Sequence, residues 1–229
     1  GAGAKDFLQG QTTADLRKAV HGRLQQSCWL TATGRLRAVL ELRLDDDGAD
    51  VLVLAGDADA MAQGLDQGIF PADRVRMGER RLQRRIQALR PDSPAAWIDD
   101  ESSLPSEFAG SRRLLSTELE ERRLRLGFPP GPAELTGNTN PFELGLAQCI
   151  SLDKGCYLGQ ETMAKLAGRG GIKQQLRCWV SSNRLNSGDP LFDGETRAGV
   201  VTSILELESD SLVGLALIRR QYLTSDALN

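Results

Sequence analysis

The amino-acid sequence predicts an α+β fold, with antiparallel sheets, packed helices and a small all-β unit at the C-terminal end of the 229 residues. Three observations lead there. Between 28 and 54 apolar residues alternate with charged ones around an Asp-Gly turn, the period of hairpin strands. Segments near 57–68, 119–126 and 160–167 carry helix starts, helix formers and glycine stops. Beyond Gly171 short β-rich runs recur at regular spacing with glycines at their bends, which suggests a small barrel or sandwich.

In chain order, 5–15 reads as a short helix carrying Phe7 and Leu8 and broken at Gly10, with Thr12, Thr13 or Asp15 as caps for the next segment. Leu36, Ala38, Leu40, Leu42 and Leu44 share one strand face, and Arg37, Glu41 and Arg43 take the other. After a turn at Asp45-Asp46-Asp47-Gly48 the strand Val51-Leu52-Val53-Leu54 returns, giving an antiparallel meander with one wet face. Asp57 caps a helix through Met61 and Leu65 that closes near Gly68, and Val75 and Met77 suggest a further strand. The Arg-rich stretch 79–90 either grips a polyanion or forms a solvated face with Leu82, Ile86 and Leu89 turned inward. Residues 91–105 read as a surface loop or inter-domain link. An amphipathic segment at 119–126 ends at Gly127-Phe128-Pro129-Pro130. Pro141 starts a helix to about 147, with Glu143 in its first turn. Strands are expected at 176–180, 199–204 and 212–217.

Composition narrows the function classes. A net charge of -3 lacks the basic excess of most nucleic-acid binders. No apolar run approaches the roughly 20 residues of a membrane span, and residues 1–20 show no signal-peptide core, so a cytoplasmic, reducing setting is expected, without direct nucleic-acid or membrane partners. The cysteines at 28, 149, 156 and 178 contain no Cys-x-x-Cys pair and His21 stands alone, which disfavours a stable metal site built from this chain.

The chemistry concentrates in Lys154-Gly155-Cys156-Tyr157-Leu158-Gly159-Gln160-Glu161. A thiol two or three residues before a helix meets unpaired N–H groups and the positive end of the helix dipole, which favour thiolate, and Lys154 adds a positive charge. The helix begins at Gln160, with Met163 and Leu166 on one side. The residues alone leave two readings for Cys156: a reactive or ligating thiol, or a small hydrophobe beside a tight turn.

This octapeptide resembles the signature of the YgfZ-type proteins, relatives of the T-protein (aminomethyltransferase) of the glycine cleavage system. Phe7-Leu8-Gln9-Gly10-Gln11-Thr12-Thr13-Ala14-Asp15, Thr33-Gly34-Arg35 and Asn140-Pro141-Phe142-Glu143-Leu144-Gly145-Leu146 resemble further family motifs in the same order. The resemblance implies a T-protein-like arrangement around a central cavity with a C-terminal β-barrel. Its expected divisions are an N-terminal folate-binding-like region (1–90), a middle region with the cysteine motif (91–171) and the barrel (172–229). It implies a functional Cys156, and tetrahydrofolate or a derivative as cofactor. Lys154, Tyr157, Gln160, Glu161, Glu143 and Gln11 are the candidate folate contacts. In the T-protein the turn matching Gly34-Arg35 is followed by two aspartates, one serving the transfer chemistry. An ungapped alignment puts Ala38 and Val39 there, and neither can accept a proton or stabilise a cationic centre.

Three functions are compatible with these residues. The first is a folate-binding, non-enzymatic factor for maturation or repair of iron–sulfur proteins, and thereby of tRNA-modification enzymes, with Cys156 as transient cluster ligand. One cysteine cannot hold a cluster, so a carrier or client protein is expected to supply further thiolates. The second is an active folate-dependent aminomethyl transferase, against which Ala38 and Val39 argue. The third is a thiol redox enzyme pairing Cys156 with Cys149, which needs the two within disulfide reach.

Overall fold

A computed structural model describes residues 1–89, 93, 95–168, 171–207 and 210–224. Helix α1 (Ala4–Gln11) leads into a meander of β1 (Leu24–Leu30), β2 (Leu36–Leu44) and β3 (Ala49–Gly56), paired antiparallel in that order. Helix α2 (Ala58–Gln67) comes next, with the Asp57 carboxylate accepting from the Asp59 and Ala60 amides and Gly68 closing its last turn. A two-stranded ribbon, β4 (Arg84–Gln87) and β5 (Ala95–Ile98), precedes α3 (Ser116–Leu126), which stops at Gly127 with φ 64°. Helix α4 (Gln160–Gly168) then leads to β6 (Gln174–Ser181), β7 (Pro190–Asp193), β8 (Thr196–Glu206) and β9 (Leu212–Arg219).

The mixed, antiparallel α+β architecture is the one expected, and the differences in detail have physical causes. α1 runs through Gly10, whose cost of about 1 kcal/mol does not outweigh the continuing ladder, and the Thr12 amide and hydroxyl both close on the Leu8 carbonyl. The face expected to be wet is only partly so along β2, where Arg37 is exposed and Arg43 half-buried but Val39 and Glu41 are buried. Ala38, Leu40, Leu42 and Leu44 enter one apolar cluster with α1 and α2, while Leu36 and Val39 enter a second with Leu124, Leu146, Met163 and Leu215. Glu41 on that second side is buried, accepting from Arg85 Nε at 2.9 Å and Trp97 Nε1 at 2.7 Å.

That contact also reverses the expectation for the Arg-rich stretch. Arg85 turns inward, whereas Leu82 is 95% exposed and Leu89 points to solvent. Among the described residues no strand forms at 75–77, and the loop expected at 91–105 contains β5. Residues 141–145 make successive turns rather than a helix, because Gly145 takes φ 74° and the amides of Leu144 and Gly145 bond three residues back. Asn140 and Glu143 still exchange side-chain-to-amide hydrogen bonds, as at a helix start.

The C-terminal strands lie in the order β6-β9-β8-β7. β6 and β7 are the two edges and do not pair, so the described residues form an open sheet where a barrel was expected. β9 is buried on both faces. Leu215 and Leu217 join the cluster shared with α3, and Ala216 and Ile218 pack with Leu191 and Val201. No helix of the described residues is long and apolar enough to cross a membrane.

Candidate functional site

The N-terminal motif and the cysteine motif meet directly. The Ser151 amide donates to the Thr13 carbonyl at 2.9 Å and the Leu158 amide to the Gly10 carbonyl at 3.2 Å. Between these two ties Lys154 is buried, and its Nζ donates to the Thr12 and Ala14 carbonyls at 2.6 and 2.7 Å while lying 4.9 Å from the centre of the Tyr157 ring. Burial lowers the Lys154 amine to about 8, with the nearby Asp15 carboxylate working against that shift. Gln160 closes the loop from the other end, its side-chain amide donating to the Lys154 carbonyl at 3.2 Å.

Cys156 stands at the tip of this tied loop and is exposed, as is Gly155 before it. It lies four residues ahead of Gln160, the first residue of α4 and the helix start expected from the sequence. The ammonium of Lys154 is directed to the N-terminal carbonyls. The reading of Cys156 as a packed hydrophobe does not survive its exposure.

Two glycines let the neighbouring turn close over the loop. Gly34, φ 75°, sits in the β1–β2 turn, and Gly159, φ 83°, stands just before α4. A Cβ on Gly159 would fall 2.7 Å from the Thr31 carbonyl oxygen and 3.1 Å from the Gly34 Cα. All three sequence motifs near residues 10, 34 and 156 therefore form one packed unit.

The other candidate residues are dispersed. Tyr157 is buried, its hydroxyl has no hydrogen-bond partner among the described residues, and burial pushes its phenol up to about 12. Glu161 is exposed and pairs with Lys165 at 2.7 Å, which holds its carboxyl below the ordinary range. Gln11 ends α1 half-buried. Glu143 is buried on another wall. Cys149 and Cys28 are buried in the same apolar cluster, where the neighbouring Cys149 thiol and burial push the Cys28 thiol up. Cys149 thus engages Cys28 inside the core while Cys156 faces solvent. Ala38 and Val39 are fully buried in β2.

Two clefts open beside this unit. One, of about 880 Å³, runs between the β1–β2 turn, the end of β3 and the segment after α3, with Leu36, Leu54 and Leu135 as apolar wall and Glu120 and Arg123 as polar edge. The other, of about 790 Å³, includes Glu143 and Arg35. Gln11, Lys154, Cys156, Tyr157, Gln160 and Glu161 line neither. Glu120 and Arg123 escaped the sequence reading and Arg35 entered it only as part of a motif, because charged residues on an amphipathic helix and at a turn carry no local mark of facing a cleft.

The chain is 26% identical over 265 residues to the tRNA-modifying protein YgfZ of Shigella dysenteriae, an alignment covering 93% of this chain and 79% of that protein. It matches the crystal structure of the glycine cleavage system aminomethyltransferase T from Bartonella henselae with a TM-score of 0.69 over 95% of this chain and 73% of that one, at 19% identity. Over most of its length the chain is distantly similar to YgfZ, and it shares the fold of the T-protein. It is also 36% identical over 130 residues to a chloroplastic protein of Arabidopsis thaliana provisionally described as a transferase. That alignment takes in 56% of the chain but spans only 30% of the Arabidopsis protein's length. No protein-family model matches the chain.

Proposed function

We propose that the chain is a folate-binding factor without transferase chemistry that supports the maturation or repair of iron–sulfur proteins, and through them of tRNA-modifying enzymes. The observation carrying this reading is the exposed Cys156 at the tip of a loop whose base is fixed by Lys154, Leu158 and Gln160. A thiol held rigidly and openly is suited to bind iron of an incoming cluster, losing its proton as the S–Fe bond forms. Among the described residues no group of three or more His, Cys, Asp or Glu is placed to hold a metal. The cluster is therefore cargo, and its other ligands come from a carrier or client protein. The name of the Shigella relative supports the link to tRNA modification.

The 880 Å³ cleft suits a folate in size and chemistry. Leu36, Leu54 and Leu135 offer a slot for a flat ring system, and the Glu120–Arg123 pair at its edge, joined by two hydrogen bonds of 2.8 Å, presents a carboxylate and a guanidinium to the ring's polar edge. The folate itself would bring a one-carbon carrier to that slot. The chain's residues would bind and orient it without transferring the carbon, since Ala38 and Val39 put no carboxylate on that part of β2. The assay that tests the whole reading is the activity of iron–sulfur tRNA-modifying enzymes in cells carrying Cys156→Ala in place of the wild type. Their activity should fall to the level of cells lacking the protein, while the purified variant folds and binds tetrahydrofolate as the wild type does. Full support by Cys156→Ala, or folate-dependent turnover of an aminomethyl donor by the purified chain, would overturn it.

A further inference from the structure

The cleft of about 790 Å³ has a lining unlike that of its neighbour. Four cations face it: Arg35 from the β1–β2 turn, Lys173 just before β6, Arg219 at the end of β9 and Arg220 beyond it. One carboxylate, Glu143, opposes them, and it already accepts from the Asn140 amide at 3.0 Å. The remaining lining side chains, Asn138, Gln174 and Gln221, are all amides.

The backbone fixes where these cations stand. Gln174 pairs with Arg219 across the β6–β9 ladder, and the Arg220 amide donates to the Lys173 carbonyl at 2.8 Å, so Lys173, Arg219 and Arg220 are grouped at one end of the sheet. Arg35 is steadied from the other side by donating to the Asn138 carbonyl. Among the described residues no carboxylate lies within 4.0 Å of the charged nitrogens of Arg35, Lys173 or Arg219. In a chain of net charge -3, a concave surface whose described lining holds four cations and one carboxylate concentrates a positive field.

We propose that this cleft binds a compact phosphate-bearing ligand. Guanidinium forks match phosphate oxygens in pairs and a lysine adds a point charge, the combination that phosphate recognition uses. The lining decides between ligand types. Among the described residues no aliphatic or aromatic side chain lines the cleft, so they offer no slot for a ring system and no platform on which bases of a nucleic-acid strand would stack. The site adjoins the cleft proposed for folate but shares no lining residue with it, and Cys156 lines neither.

Calorimetric titration of the purified chain with pyrophosphate at low salt tests this. Saturable binding is expected, weakened roughly tenfold or more in Lys173→Gln/Arg219→Gln and reduced again at about 0.3 M salt. Arg80→Gln, which removes an exposed partner of Asp59 elsewhere on the surface, and Cys156→Ala should bind as the wild type does. Absence of saturable binding, or equal binding by the double variant, would overturn the proposal. So would tri-glutamate or a single-stranded oligoribonucleotide binding through the same side chains at least as tightly as pyrophosphate.

Discussion

Lys154 combines a charge with a place where charge is poorly solvated, and two backbone carbonyls compensate it. An amine lowered to about 8 in the folded chain from its ordinary 10.5 binds its proton more weakly folded than unfolded. Its contribution to stability is therefore fully present above about 10.5 and is lost as pH falls through about 8. Lys154→Met should destabilise by about 2 kcal/mol, because the Thr12 and Ala14 carbonyls lose their donor. The gap in melting temperature between wild type and variant should widen as pH rises from about 8 to about 10.5, and a gap independent of pH would refute the buried-ammonium account.

Tyr157 makes the opposite prediction. Its hydroxyl is buried without a partner, so Tyr157→Phe should stabilise by about 1 kcal/mol at neutral pH while keeping the ring under Lys154. A phenol raised from 10.0 to about 12 holds its proton more tightly when folded, so the wild type loses stability as pH climbs through that interval and the Phe variant does not. Urea midpoints at pH 7 and near pH 11 measure both effects. The sequence revealed Lys154 and Tyr157 as members of a motif but not their roles. The carbonyls that Lys154 serves are 142 and 140 residues away along the chain, and no local pattern records such partners.

At the scale of elements, two glycines with nearly the same need for positive φ should respond very differently to a methyl group. Gly127 at the end of α3 has open surroundings, with its nearest neighbours at 3.7 and 3.9 Å, and Gly127→Ala should cost about 1 kcal/mol through backbone conformation alone. Gly159 carries the same strain and would also drive its methyl into the Thr31 carbonyl and Gly34, so Gly159→Ala should cost about 3 kcal/mol. Equal losses in thermal unfolding would show that the turn can shift away from the loop. Elements with their own punctuation were legible in the sequence: α2 between Asp57 and Gly68, α3 up to Gly127, and α4 from Gln160. β5 and β7 were not, since four-residue strands carry too short a pattern to stand out from a loop.

Across the whole molecule, one ion pair joins separate sheets. Glu41 of β2 is 2% exposed and held by Arg85 of β4 and the Trp97 indole of β5. Arg85→Met should destabilise by about 3 kcal/mol because it leaves a carboxylate buried without its cation, and Glu41→Gln should recover part of that loss in the Met background. Additive effects of the two changes in a double-mutant cycle would show that they are not coupled. The alternation along β2 was legible and the covering of Glu41 was not, because Arg37, Glu41 and Arg43 on one side read as facing water until the partner of Glu41, 44 residues on, is known.

β2 sends Ala38, Leu40 and Leu42 one way and Leu36 and Val39 the other, wedging a single ribbon of chain into two apolar masses. Disturbing that ribbon should therefore loosen both masses at once, including Tyr157 beside the exposed thiol.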